Sequence, residues 1–352
     1  HSVSRLVCTR SVQATKDFTM QAPAADPTKI HVAKDLVHNR ALVSCRFDPS
    51  GKFVFAGGED NRIWRFEIAS AAKTELAGHD SWARAIGFSK DGLTLVTGGY
   101  EGKLLWWPAA AEKPAPTRTV QAHQGWIRSL AVSPDGTLVA TAGNDLVVRI
   151  WKMEDGSKVH ELAGHPRHVY NVAFHPEGKR LVSGDLMANV IEWDVETGKE
   201  VRRLTFPPLS KYDPGFMADI GGTRGMNFSP DGKQILLTGI TNVSNAFAGI
   251  GNPIALLANW EDGKEIVQYG SKANLNGVCW NAQFHPGGFI IGASGGGGGG
   301  HLFFWKGTEK PEFHTLNIGN SIRDMHLAPD NLNIATAHVD GHVRISLMAA
   351  KA

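Results

Sequence analysis

The chain is poor in cysteine. Cys8, Cys45 and Cys279 are odd in number and widely spaced, and no Cys-x-x-Cys pair occurs. This argues against a disulfide framework and a thiolate zinc site, and fits reduced thiols in a cytoplasmic protein. Net charge is almost absent, with 36 basic against 34 acidic side chains, so nothing drives general binding to nucleic acid or to a membrane surface. No apolar run approaches the roughly 18 residues that a membrane-inserted helix needs. The first residues, "HSVSRLVCTRSVQATKDF", lack the apolar centre of an export signal, although a signal already removed would leave no trace there. The histidines His175, His285, His301 and His314 show no pair at metal-ligand spacing, so neither a metal nor a cofactor is expected.

Glycine, by contrast, is abundant at 40 of 352 residues, which implies many turns. One short pattern recurs seven times: "FDPSG" at Phe47, "FSKDG" at Phe88, "VSPDG" at Val132, "FHPEG" at Phe174, "FSPDG" at Phe228, "FHPGG" at Phe284 and "LAPDN" at Leu327. The third residue of each falls at 49, 90, 134, 176, 230, 286 and 329; four of the six intervals cluster near 42 and two are longer by about a dozen. Each marker reads as a tight turn, with Pro setting φ and Gly supplying positive φ. An alternating apolar stretch such as "IRSLAV" precedes it, and a β-rich run such as "LVATAG" follows. A second turn, a run such as "VVRIW" and a last strand such as that in "WDVETGKEVRRL" complete a unit of four short strands.

With these residues in register, the chain resembles the WD-repeat (WD40) family of β-propellers. The family's Gly-His is present as Gly78-His79 and Gly164-His165, with the variants Ala122-His123 and Val37-His38. Its Trp-Asp is intact at Trp193-Asp194, and Trp107, Trp151 and Trp305 keep the Trp alone. In five units, marker and Trp position are 17 residues apart. The resemblance covers residues 29–352 and implies an all-β, seven-bladed propeller of bacterial type, with four antiparallel strands per blade. Residues 1–28 form an N-terminal extension or tail. The last unit, ending in "HVRISLMAAKA", lacks a fourth strand, and Lys29 to Asp35 is expected to supply it, closing the ring.

The resemblance also implies buried hydrogen-bond chains that are structural rather than catalytic. One is His123, Thr141, Asp145 and Trp151. A second is His79, Thr97, Glu101 and Trp107, and a third is His165, Ser183 and Trp193. In the third, Met187 stands at the Asp position, so that chain is expected to be broken. Such a set looks like a catalytic triad, but here it repeats blade by blade.

Function on such a scaffold is expected in loops. Phe206 to Gly222 lengthens the link between blades 4 and 5, and Gly239 to Asn252 lengthens the connection between the second and third strands of blade 5. The six glycines Gly295 to Gly300 lengthen the same connection in blade 6 by two residues. This run satisfies a phosphate-loop pattern trivially and is followed by a strand, "HLFFW", so it reads as a loose hairpin turn. The propeller family places all three on its top face. Four residues before each marker's first residue stand Val43, Arg84, Arg128, Tyr170, Arg224, Trp280 and Arg323, near the channel mouth; two residues earlier stand Trp82, Trp126 and His168. Arg and flat aromatics are the side chains that dominate binding hot spots, although the arginines could instead pair with Glu59 or Glu101.

The expected function is a non-enzymatic scaffold that binds a protein or peptide at this mouth and the blade 4 to 6 loops. The alternatives are an enzyme at the channel mouth, for which Asp213, Asp219 and Asp324 are the candidate carboxylates, and a structural subunit docking through residues 1–28.

Overall fold

The computed structural model describes residues 24–245 and 250–351. Seven four-stranded antiparallel sheets follow one another along the chain. Their first strands are Leu42–Phe47, Ala83–Phe88, Ile127–Val132, Val169–Phe174, Gly225–Phe228, Val278–His285 and Ile322–Leu327. The protein is an all-β, seven-bladed propeller. The seven markers are the turns between first and second strands. Gly51, Gly92, Gly136, Gly178, Gly232 and Gly288 all have φ between 70° and 81° there, and Asn331 takes the seventh place at φ 57°. Asn is the side chain that best tolerates this left-handed conformation in glycine's stead.

Side chains sort by distance from the channel. Second strands such as Leu138–Gly143 are buried almost throughout, whereas outer strands such as Glu200–Thr205 alternate between exposed and half-buried. Apolar side chains from neighbouring blades gather into seven clusters, one at each junction. At the junction of blades 2 and 3, for instance, Val96 and Trp106 pack with Ile127 and Trp151. Burial of this kind contributes roughly 25 cal/mol per Å² and locks each blade to the next.

The fourth strand of the seventh sheet is His31–Val37, paired antiparallel with His342–Leu347. It starts two residues later than Lys29, because Asp26 caps a 3-10 turn over Pro27–Lys29 and accepts a hydrogen bond from Thr28 N at 3.0 Å. Leu36 from this strand is buried against Val343 of blade 7 and Leu42 of blade 1. Of the extension expected over residues 1–28, residues 1–23 lie outside the described residues.

Candidate functional site

In six of the seven blades the first strand carries a residue that its partner strand does not match. The antiparallel register skips between Leu42 and Ser44, Ala83 and Ala85, Ile127 and Ser129, Val169 and Asn171, Cys279 and Asn281, and Ile322 and Asp324. The bulged residues are therefore Val43, Arg84, Arg128, Tyr170, Trp280 and Arg323. In blade 5, Arg224 stands immediately before the first strand and donates its backbone N–H to Thr238 O at 2.8 Å. A β-bulge leaves one residue without a cross-strand partner and re-aims its side chain. Repeated in six blades, and with Arg224 at the equivalent place in blade 5, it brings seven side chains to one opening.

These seven residues, with Trp82 and Tyr100, line one cavity of about 240 Å³. Guanidinium groups and rings alternate within it. The Arg128 guanidinium carbon lies 4.1 Å from the Tyr170 ring centre and 4.8 Å from that of Trp126. Arg224 lies 4.5 Å from Tyr170 and 5.6 Å from Trp280, and Arg84 lies 5.4 Å from Trp280. Such cation–π contacts stabilise a cation without neutralising it. Trp126 forms the rim, stacked on Tyr100 with ring centres 4.1 Å apart, and is exposed. His168 does not line the cavity; its Nδ1 lies 2.6 Å from Asn144 O.

The four arginines differ in their partners. Arg323 pairs with Glu59. Arg128 donates to the neutral Asn144 Oδ1 at 2.5 Å, and Arg84 to the backbone Val43 O at 2.9 Å. Among the described residues, Arg84, Arg128 and Arg224 form no ion pair, and Arg224 Nε is buried with no hydrogen-bond partner. Burial pushes Arg128 and Arg224 below the ordinary guanidinium range. Glu101, the other acid considered as a partner, is held by His79 instead, at 2.5 Å.

The cavity residue Tyr100 and the Arg128 acceptor Asn144 were not apparent from the motif count. Tyr100 and Asn144 share one repeat position with Glu59, just past the second strand, where each backbone N–H bonds the carbonyl two residues before the bulge. The signal was a repeat position with side chains suited to pairing with or stacking on arginine. It is legible only once the bulge is known to aim the arginine at it.

Deeper in the channel a larger space, about 350 Å³, is lined by residues that include Arg46, Asn281 and Asp324. Asp324 accepts from Cys45 N at 3.1 Å, Met325 N at 2.9 Å and Asn281 Nδ2 at 3.3 Å. Burial pushes its carboxyl up, against the pull of Arg84 and Arg46. The structure does not gather the three candidate carboxylates. Asp213 caps a surface turn at Gly215 N, and Asp219 pairs with Arg167.

The buried hydrogen-bond chains carry the seams of blades 2, 3 and 4. His79 Nε2 lies 2.7 Å from Thr97 Oγ1, which accepts from Trp107 Nε1 at 2.8 Å. In blade 3 the distances are 2.8 Å from His123 to Thr141 and to Asp145, and 3.0 Å from Trp151 to Thr141. Burial opposes ionisation of Asp145, but hydrogen bonds from His123 and Arg149 hold its carboxyl well below the usual range. In blade 4, His165 and Trp193 both reach Ser183 Oγ at 2.7 Å.

The break expected there at Met187 does not occur. Asp185, two residues earlier, supplies the carboxylate at 3.4 Å from His165 Nδ1 and also accepts from Met187 N and Asn189 N, each at 2.9 Å. It can do so because the turn itself is folded around its side chain.

The three insertions form a connected rim. Phe206 to Gly222 holds a two-stranded sheet, Ser210–Asp213 paired with Ala218–Gly221, anchored by buried Phe206 and Leu209. Its tip presents Tyr212, Phe216 and Met217 to solvent, Met217 at 82% exposure. In blade 5 the second and third strands simply run on, as Gln234–Asn245 and Ile250–Asn259; the tip at 246–249 lies outside the described residues. Lys211 Nζ donates to Val243 O at 2.8 Å, joining the two insertions. The blade 5 extension is joined in turn to the preceding link of blade 6 by Gly277 N to Gly251 O, 2.8 Å.

That link also holds the glycine run, through Gly298 N to Asn276 O at 2.8 Å. The run is a hairpin between Phe289–Gly295 and Gly300–Trp305, but it is not loose. A Cβ on Gly295 would meet Ile322 O at 2.0 Å, and one on Gly300 would meet Asn320 O at 2.0 Å. At these two positions glycine is present because neighbouring backbone passes too close for any side chain.

The comparisons with known proteins agree with this architecture. The sequence model of the family "WD domain, G-beta repeat" matches residues 32–65, 71–108, 114–152 and 156–189, under half of the chain. A bromodomain and WD repeat-containing protein of Dictyostelium discoideum is 34% identical over 110 residues, 31% of this chain and 5% of that protein. Protein groucho of Drosophila melanogaster is 23% identical over 176 residues, 49% of this chain and 24% of its own length. Apoptotic protease-activating factor 1 of Rattus norvegicus is 26% identical over 202 residues, 57% of this chain and 16% of that protein. The chain thus spans no more than about a quarter of any of these relatives. All three are eukaryotic, so the bacterial character expected from the turn sequences gains no support. Repeat register, blade topology and these matches together make the chain a seven-bladed β-propeller in which four segments between residues 32 and 189 match the WD40 repeat.

Proposed function

We propose that the protein is a non-enzymatic scaffold that binds a protein or peptide partner on the face formed by the channel mouth and the insertions of blades 4 to 6. The observation that carries this reading is the set of bulges. The same backbone device in blade after blade turns arginine and aromatic side chains to one opening, and these are the side chain types that concentrate binding energy at interfaces. The exposed Tyr212 and Met217 extend an apolar contact beyond the charged mouth. The His and Ser/Thr of the repeated sets are buried and tied to a Trp, which fits a structural rather than a catalytic role. The scaffold role of repeat propellers in general points the same way.

Chemical cross-linking of the full chain to its captured partner, read by mass spectrometry, tests the proposal. Links from Lys211 and from residues flanking the mouth support it. Links confined to the marker turns on the opposite side, such as Lys52, Lys179 or Lys233, overturn it.

A further inference from the structure

Arg84, Arg128 and Arg224 come from blades 2, 3 and 5 and line one cavity of about 240 Å³. Their neighbour Arg323 serves as an internal contrast, because it lies in the same cavity and is neutralised by Glu59. The other three have no ion pair among the described residues, and one of them holds a buried Nε without any acceptor. A buried donor without a partner is costly, and three guanidinium groups facing one space repel each other. Tyr170 and Trp280 stack between them, fixing the planes of the guanidinium groups and preventing them from swinging out to solvent. Three cations are thus held in place around a cavity that no carboxylate lines; the acid Asp324 lies in the deeper channel space that the three arginines also border.

Charge and geometry select the ligand. One carboxylate would neutralise a single guanidinium and leave two. A phosphate monoester carries close to two negative charges at neutral pH and three equivalent oxygens, which match planar guanidinium forks. The space is too large for the phosphate alone and admits the side chain that carries it. We propose that the cup of Arg84, Arg128 and Arg224 holds the phosphate of a phosphorylated side chain on the partner segment. This deepens the scaffold reading and rests on it.

The test is a calorimetric titration of the full chain with four probes: a short peptide carrying phosphoserine, the same peptide with Ser, the same peptide with Glu, and inorganic phosphate. The expected result is binding of the phosphopeptide at least tenfold tighter than the Glu peptide and tighter than inorganic phosphate, with none detected for the Ser peptide. Arg128→Gln and Arg224→Gln each weaken it tenfold or more, while Arg323→Gln weakens it less than threefold. Equal affinity for the Ser and phosphoserine peptides overturns the proposal, and so does inorganic phosphate binding as tightly as the phosphopeptide. These comparisons use the wild-type protein, so they stand even where an arginine variant fails to fold. A partner captured through the 210–221 hairpin irrespective of phosphorylation would sink this inference and leave the scaffold reading intact.

Discussion

Asp185 stands 3.4 Å from His165 Nδ1 and does for blade 4 what Asp145 does for blade 3 at 2.8 Å, from a chain position two residues earlier in the repeat. Both carboxylates are held below their usual range, Asp185 because hydrogen bonds from His165 and Asn189 outweigh its burial.

Asp185→Ala strands the His165 ring and two turn N–H groups in one step. The expected cost is about 3 kcal/mol, in the range for breaking a buried charged network. Met187→Ala, at the position where the repeat pattern puts the acid, is expected to cost under about 1 kcal/mol. Urea denaturation of the two variants checks this, and the reverse order would refute the assignment of Asp185.

The glycine hairpin supplies a second contrast. Gly295→Ala and Gly300→Ala each drive a Cβ into a backbone carbonyl, whereas a Cβ on Gly297 finds its nearest neighbour, Asn276 Cβ, at 4.0 Å. The first two are expected to lose about 2 kcal/mol or more through forced backbone shifts, the third within about 0.5 kcal/mol. Thermal unfolding distinguishes them. Equal tolerance at all three positions would mean that the turn is as loose as its sequence suggests.

The seventh blade depends on a strand from the other end of the chain. Leu36 in that strand is 1% exposed and Val37 is 56% exposed. Leu36→Ala is expected to cost about 2–4 kcal/mol and to raise proteolysis at both chain ends. Val37→Ala is expected to cost no more than about 0.5 kcal/mol. Limited proteolysis followed by mass spectrometry reads the outcome, and an unchanged cleavage pattern in Leu36→Ala argues against a strand that fastens the ring.

Acid should loosen the fold through buried neutral histidines. Burial pushes His338 down to about 4, and it also lowers His38, His123 and His326. In the unfolded chain these rings take up a proton near pH 6.5. Between about pH 6.5 and 4 the unfolded state binds more protons, so stability falls as pH drops through that window. The lowered carboxylates act separately: their contribution is present above about pH 4 and is lost below it. For His338 the gap corresponds to about 3 kcal/mol. His338→Gln is expected to lower the urea midpoint at pH 7.5 but to flatten its decline towards pH 4.5. Parallel declines would show that His338 does not carry the effect.

The sequence by itself determined the number of blades, the turn positions and most of the residues that meet at the mouth, missing Tyr100 and including His168, which lies outside it. The reason is that a repeat in fixed register places equivalent residues at equivalent points. A count of four residues before each marker reached Arg84, Arg128 and Arg224 without any knowledge of the bulge that aims them. The same logic failed at Met187, since a side chain two residues away can reach the same ring once the turn is closed, and spacing in the chain does not measure distance in space. It failed again at the glycine run, where composition suggested slack but backbone at and just before blade 7 leaves no room at Gly295 and Gly300. The tertiary structure alone decided that Glu59 neutralises Arg323 while three other arginines share a cavity without an anion. That difference arises between blades far apart in sequence, where only the closed ring sets which charges meet.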